Sequence, residues 1–128
     1  MHLSLAGRHA LVCGASQGIG RAAAIELAQL GARVSLLARS ADTLEAVAQS
    51  LPRPHDQSHD WHAVDMADTA ALADTAAALV AAGPVHILVN NTGGPAGGSA
   101  HGAERAAYEA AFRQHLLAAQ TLLQAVLP

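Results

Sequence analysis

The segment CGASQGIG sets glycines at positions 14, 18 and 20, directly behind the apolar run Ala10-Leu11-Val12 and directly ahead of IGRAAAIELAQL, a run with helical spacing. Glycine has the most backbone freedom to lose on folding, so three glycines between a strand and a helix weaken both elements. Close approach to the backbone is what such a turn gains. Gly14 makes the tight turn out of the strand, Gly18 lets a pyrophosphate reach the backbone N–H groups, and Gly20 lets helix and strand pack closely. The helix beginning there supplies unsatisfied N–H groups and a positive dipole end for an anion. A glycine triplet alone is a weak signal. A strand before it, a helix after it and a second strand within about 30 residues are the context it requires.

The remaining chain supplies that context. Residues 9–13 read as a strand and 19–30 as a helix with Ala22, Ile25, Leu27 and Ala28 toward the sheet, closed by Gly31. Residues 33–38 (RVSLLA) are nearly all apolar, as in a strand buried on both faces. Ser40 is placed to cap a helix over 41–51. After the polar segment PRPHDQSHD, a third strand over 61–64 ends at Asp65, and Asp68 caps a helix running to about residue 82, where Gly83-Pro84 ends it. A fourth strand over 85–90 precedes the glycine-rich loop NTGGPAGGSAHG, and a long helix over 104–127 is stopped by Pro128. Strand–helix alternation with apolar strands predicts an α/β doubly wound, Rossmann-like parallel sheet. Its four strands are expected in the order 3-2-1-4 with helices on both faces, and residues 1–128 as a single dinucleotide-binding domain.

Composition narrows the function classes. The chain is 52% hydrophobic and 13% charged, which excludes a disordered solvating segment. Abundant alanine and only three aromatic residues, Trp61, Tyr108 and Phe112, suit close helix-on-sheet packing. A formal net charge of −3 provides no basic field, so no nucleic-acid partner is expected. No apolar run reaches the roughly 18 residues that span a bilayer, and Gly7-Arg8-His9 interrupts the apolar amino terminus, so neither a membrane anchor nor a signal peptide is expected. The single Cys13 permits no internal disulfide and fits a reducing, cytoplasmic compartment.

A second segment, HDQSHDWH, gathers His55, Asp56, His59, Asp60 and His62. Imidazoles and carboxylates so close together are zinc- or nickel-type ligands, but no helix holds them on one face. It reads as a solvated loop, with no metal.

The residue after the second strand discriminates between dinucleotides. A carboxylate there would hold the ribose 2′-hydroxyl of NAD, whereas an arginine accommodates the 2′-phosphate of NADP. This chain has Arg39 there, followed by Ser40, and Ser16 in the first loop adds a hydroxyl. NADP is expected in preference to NAD.

With CGASQGIG, AVDM at 63–66 and ILVNNTGG at 87–94, the chain resembles the short-chain dehydrogenase/reductase family along its whole length and in the right order. The family carries TGxxxGxG, an Asp-Val or Asp-Leu pair after strand three, and NNAG after strand four. The NTGG variant resembles its 3-oxoacyl-carrier-protein reductase-like branch. The resemblance implies that residues 14–20, namely Gly14, Ala15, Ser16, Gln17, Gly18, Ile19 and Gly20, hold the cofactor together with Arg39. It implies further that Asp65 and Met66 border the adenine, and that Asn91, Thr92 and Gly93 line its ribose side. Two departures stand out: Cys13 for the usual threonine and Thr92 for the alanine of NNAG.

The family's reaction is hydride transfer between nicotinamide and a carbonyl or alcohol carbon. A tyrosine moves the proton, and a nearby lysine lowers its pKa from about 10. All seven basic residues of this chain are arginines, so the family's Tyr-x-x-x-Lys and its serine are expected beyond it. Tyr108, followed four residues later by Phe112, reads as a core or interface residue. The family's catalytic asparagine falls at His115, the one catalytic candidate in this chain, against the reading of a histidine on a half-buried helix face. The last helix is apolar on more than one stripe, and the family buries this helix in a subunit contact, which implies a homo-oligomer through residues 104–127. The alternative, from another class, is a non-catalytic dinucleotide-binding or interaction module.

Overall fold

Every residue of β1 (His9–Cys13) is buried, as is all of β2 (Arg33–Ala38) except Arg33 at its start. In the computed structural model, which describes residues 3–94 and 97–128, they form the middle of a four-stranded parallel sheet. The order is β3-β2-β1-β4, with β3 at Asp60–Ala63 and β4 at Ile87–Val89. This is the doubly wound α/β sheet expected from the strand–helix alternation. Helices α1 (Gly18–Gln29), α2 (Ala41–Ser50) and α3 (Thr69–Ala81) lie between successive strands. The sequence readings that fall on Met1, His2, Pro95 and Ala96 lie outside the described residues.

The period of two along β1 divides the core. Ala10 and Val12 point to one face, where they pack with Ala24 and Ala28 of α1 and Leu44, Val47 and Ala48 of α2. Leu11 and Cys13 point to the other, against Leu72, Ala76 and Leu79 of α3 and Ala118 and Leu122 near the carboxyl terminus. The small residues Gly20, Ala24 and Ala28 recur every four positions and bring α1 close to the sheet. Ala22 is solvent-exposed rather than sheet-facing, because the buried stripe runs through Gly20, Ala24 and Ala28 and position 22 falls on the opposite side of the helix.

Both predicted caps sit at helix starts, but only one works as expected. Asp68 Oδ1 accepts the Ala71 N–H at 3.0 Å. Ser40 occupies the cap position of α2, yet its hydroxyl bonds the Thr43 hydroxyl at 2.9 Å instead of a backbone N–H.

The last helical stretch is not uniform. A 3-10 turn at Ala100–Gly102 precedes α4 (Arg105–Phe112), a single π turn at Arg113–Leu117, and α5 (Ala118–Val126). Only α5 contributes buried residues, Ala118 and Leu122, which pack against α3. Tyr108, Phe112, Leu116, Leu123 and Leu127 are exposed, so Tyr108 is not a core residue.

Candidate functional site

The carboxyl ends of parallel strands, beside a point where the strand order reverses, are where a doubly wound sheet binds ligands. Here β1 is followed in space by β2 on one side and β4 on the other, so the reversal lies at the end of β1. The glycine turn sits at that point. Gly14 has φ +61° and Gly18 φ +58°, left-handed values that side chains rarely adopt. The two differ in their surroundings. A Cβ on Gly14 would meet Asn91 Nδ2 at 2.6 Å, whereas a Cβ on Gly18 would point into open space. Gly20 has no positive φ, but a Cβ there would meet the Gly14 carbonyl oxygen at 2.2 Å. Close helix–strand packing, not conformation, requires that glycine.

The open space over Gly18 belongs to a cleft of about 530 Å³. Of the cofactor residues expected from the sequence, Gly14, Ser16, Gln17, Gly18, Ile19, Arg39, Asp65, Met66, Asn91, Thr92 and Gly93 line it. Ala15 and Gly20 are buried beneath it. Helix α1 starts in the cleft wall with extended backbone at Gln17 and no side-chain cap, which leaves its first-turn N–H groups for a ligand. Ile19 on that turn is 80% exposed, an apolar side chain standing beside the cleft. Arg39 and Ser40 close the side formed by β2, and Arg39 has no ion-pair partner among the described residues.

The other lining residues brace the cleft as well as border it. Asp65 Oδ1 accepts the Ala67 N–H at 2.9 Å and so holds the turn after β3. Met66 is nearly buried in the second core. Asn91 Nδ2 donates weakly to the carbonyls of Cys13 and Gly14, at 3.4 and 3.5 Å, tying the end of β4 to the glycine turn. Burial pushes the Cys13 thiol up to about 12, against a smaller opposing hydrogen bond from the Asn91 backbone, so it stays protonated and packs as a small apolar group.

His115 does not line the cleft. It lies on the π turn, where its Nδ1 is hydrogen-bonded to Thr92 Oγ1 while its Nε2 is buried without a partner among the described residues. Its neighbour Gln114 does line the cleft and donates from Nε2 to the Gly93 carbonyl at 3.1 Å. No motif in the sequence marks Gln114; only its place beside His115 could have drawn attention to it.

The histidine-rich segment lies at the opposite, amino-terminal ends of the strands, and it is not simply solvated. Gln57 Nε2 donates to the carbonyls of Ala28 and Ala32, at 2.8 and 3.3 Å, satisfying the end of α1. His59 Nδ1 accepts the Val34 N–H at 3.1 Å and its Nε2 bonds the Pro52 carbonyl at 2.9 Å. Asp60 accepts from Arg33 at 2.9 Å and from Ser35 Oγ, which also bonds His9 Nε2 at 2.7 Å. Burial, followed by the Arg33 charge, depresses His9. Burial also depresses His59, with Arg53 adding to it. Burial alone would raise the Asp60 carboxyl, but the Ser35 hydroxyl and the Arg33 guanidinium outweigh it and hold it below the usual range. Among the described residues, no group of three His, Cys, Asp or Glu side chains is arranged around a common metal position. The segment is a loop leading into β3, as expected, but it is not solvated throughout: its side chains clasp the strand ends to the end of α1 and to the chain just after α2.

Comparison with known proteins agrees with this geometry. The family model for short chain dehydrogenase matches residues 8–128. D-erythrulose reductase of Gallus gallus is 46% identical over 89 residues, which cover 70% of this chain and 33% of the relative. L-xylulose reductase of Mesocricetus auratus is 41% identical over 91 residues, covering 71% of this chain and 34% of the relative. The solved structure of L-sorbose reductase from Gluconobacter frateurii, complexed with NADPH and L-sorbose, superposes with a TM-score of 0.90 at 28% identity over 98% of this chain and 48% of that one. A metagenomic short-chain oxidoreductase in complex with NADP gives a TM-score of 0.85 at 39% identity, over 94% of this chain and 55% of that one. The chain thus spans about a third of the length of these curated relatives and about half of these solved structures. In fold, glycine turn and sequence alike, the chain belongs to the short-chain dehydrogenase/reductase family and corresponds to its amino-terminal half.

Proposed function

We propose that this chain binds NADP(H) and that the whole protein transfers a hydride between the nicotinamide and a small carbonyl or alcohol substrate. The observation that carries the reading is the open backbone at Gly18, set at the start of α1 and facing a cleft whose far wall holds Arg39. The α1 N–H groups bind the pyrophosphate, with Ser16 and Gln17 beside it. Arg39 offers a planar, permanently charged fork to the 2′-phosphate. Asp65 and Met66 border the adenine, and Asn91, Thr92 and Gly93 form the ribose side. Ala15 and Gly20 act from below, by keeping the turn tight. The relatives named as reductases of D-erythrulose, L-xylulose and L-sorbose support a polyhydroxylated ketone as the carbonyl substrate.

The cofactor supplies the hydride; the residues of this chain bind and orient it. Because the chain contains no lysine, a lysine-assisted tyrosine is not among these residues, and Tyr108 is no substitute. It is 53% exposed on α4, and its hydroxyl donates to the Ala100 carbonyl. The alternative reading is a dinucleotide-binding module without catalysis of its own. Residues 1–128 are read as one domain in either case.

The test is fluorescence titration of the chain with NADPH and NADH. NADPH should bind the more tightly, and Arg39→Asp should reduce or reverse the preference. Equal affinities in the unaltered chain would remove Arg39 as the phosphate ligand, and no binding of either would remove the cofactor reading. The enzyme and module readings separate on whether the natural protein, supplied with NADPH and a panel of small ketoses, consumes NADPH.

A further inference from the structure

Two consecutive side chains of the π turn grip two consecutive residues of the loop after β4. Gln114 Nε2 donates to the Gly93 carbonyl at 3.1 Å, and His115 Nδ1 is hydrogen-bonded to Thr92 Oγ1. Thr92, Gly93 and Gln114 all line the cleft, while His115 stands behind it. A π turn adds one residue to a helical turn, and such single-turn bulges occur frequently at functional sites. Here it carries the only side chains of the last helical stretch that reach the cleft loop by hydrogen bonds among the described residues.

The direction of the Thr92–His115 hydrogen bond follows from the imidazole tautomer. His115 Nε2 is buried and has no partner among the described residues. A neutral imidazole has one N–H and one bare nitrogen, and a buried N–H costs free energy when it has no acceptor. With the bare nitrogen at Nε2, Nδ1–H donates to Thr92 Oγ1. That leaves the Thr92 hydroxyl proton free to donate to an acceptor in the cleft. With the opposite tautomer, Thr92 would spend its proton on the imidazole and offer the cleft only lone pairs.

We propose that His115 is a positioning residue: it fixes the Thr92 hydroxyl as a donor toward the bound dinucleotide, while Gln114 holds the adjoining Gly93 carbonyl. This deepens the NADP(H) reading and rests on it. The geometry gives His115 no contact with the cleft itself, so its effect passes through Thr92.

The experiment is NADPH titration of the chain and four variants: Thr92→Val, His115→Phe, the double variant, and His115→Gln. Valine keeps the shape of threonine without its hydroxyl, and phenylalanine keeps the bulk of the imidazole without its donor. A net hydrogen bond corresponds to about a fivefold change in affinity, so each single variant should bind NADPH about fivefold more weakly. The double variant should lose no more than about the same factor, because both changes break one chain of donors. Glutamine can donate to Thr92 as Nδ1–H does, and His115→Gln should restore binding to within about twofold of the unaltered chain. Packing alone would not separate glutamine from phenylalanine in this way. Losses that multiply in the double variant, single variants that bind as the unaltered chain does, or a glutamine variant as weak as the phenylalanine one would each overturn the proposal. If the unaltered chain binds no NADPH, the cofactor reading itself fails and takes this inference with it.

Discussion

The imidazole of His59 accepts the backbone N–H of Val34 through Nδ1 at 3.1 Å, carrying the contact between β2 and β3 one step ahead of Asp60, where β3 begins. Its Nε2 bonds the Pro52 carbonyl, so the ring must be neutral with its proton on Nε2. Protonation would place a second N–H against that of Val34. Arg53 and Arg33 nearby work in the same direction, and Asp60 works against it.

Stability should therefore depend on mild acid. Burial, first of all, lowers the folded-state pKa of His59 and of His9 below the ordinary 6.5. The unfolded chain then binds more protons than the folded one as the pH falls below about 6.5, and stability falls with it. Above that pH the contribution is fully present. The urea midpoint, followed by the fluorescence of Trp61, should drop between pH 7.5 and pH 5. His59→Gln keeps both an acceptor and a donor without a titrating group, so it should flatten the slope, leaving the His9 share. An identical slope in the variant would show that His59 does not titrate in this range.

A second expectation contrasts two glycines of one turn. In Gly20→Ala the new Cβ would lie 2.2 Å from the Gly14 carbonyl oxygen, and neither backbone can yield without opening the contact between α1 and β1. The loss should be on the order of 3 kcal/mol, or no folded protein at all. Gly18→Ala meets no atom within 4 Å and bears only the strain of φ +58°, about 1–2 kcal/mol. It should fold, yet lose NADPH binding, because its methyl group enters the space over the α1 N–H groups. Denaturation and titration of both variants check the pair. Retained binding in Gly18→Ala would mean that no phosphate sits there.

The contrast also shows what could be read from the sequence. The roles of glycines 14, 18 and 20 follow from local spacing, since a turn, an open backbone and a close contact are all settled within a few residues of chain. The strand order goes with the doubly wound fold that the strand–helix alternation and the glycine turn point to. Gln57, His59 and Asp60 were misread as solvated because their partners, Ala28, Val34 and Ser35, lie 25 to 29 residues away. No periodicity records such contacts. The π turn escaped for a different reason: Ala110 to Val126 keeps an unbroken helical pattern, and nothing in it marks the wider turn that brings Gln114 and His115 to the loop.

Asp60 gives a third expectation. It gathers Arg33, Ser35 and, through Ser35, His9 at the edge between β2 and β3. Asp60→Ala should cost about 1–3 kcal/mol, since the fully buried Ser35 hydroxyl loses its acceptor. The carboxyl's folded pKa lies below 3.8, so its contribution is present above that pH and is lost as the pH falls through the folded value. Unfolding below pH 4 should accordingly be shallower in the variant. A loss under about 0.5 kcal/mol at pH 7 would show the cluster to be an ordinary surface feature.

The last expectation concerns association. Tyr108, Phe112, Leu116 and Leu123 are exposed along α4, the π turn and α5, spaced at four, four and seven residues, so they form one stripe along the stretch, with Leu127 exposed just past its end. A stripe of that size is larger than the scattered apolar residues of an ordinary surface, and such patches drive association. At the far edge of the sheet, β4 is only three residues long and half-buried, and it pairs on one side with β1 alone. Unpaired N–H and C=O groups there are open to another strand. The chain should therefore show a mass in light scattering that rises with concentration. Phe112→Glu with Leu116→Glu places two charges in the middle of the stripe on side chains that contribute nothing to either core, so the fold should survive while association weakens at least tenfold. If the double variant associates as strongly as the unaltered chain, the contact runs through the β4 edge instead. A monomer at every concentration would show that neither surface drives association.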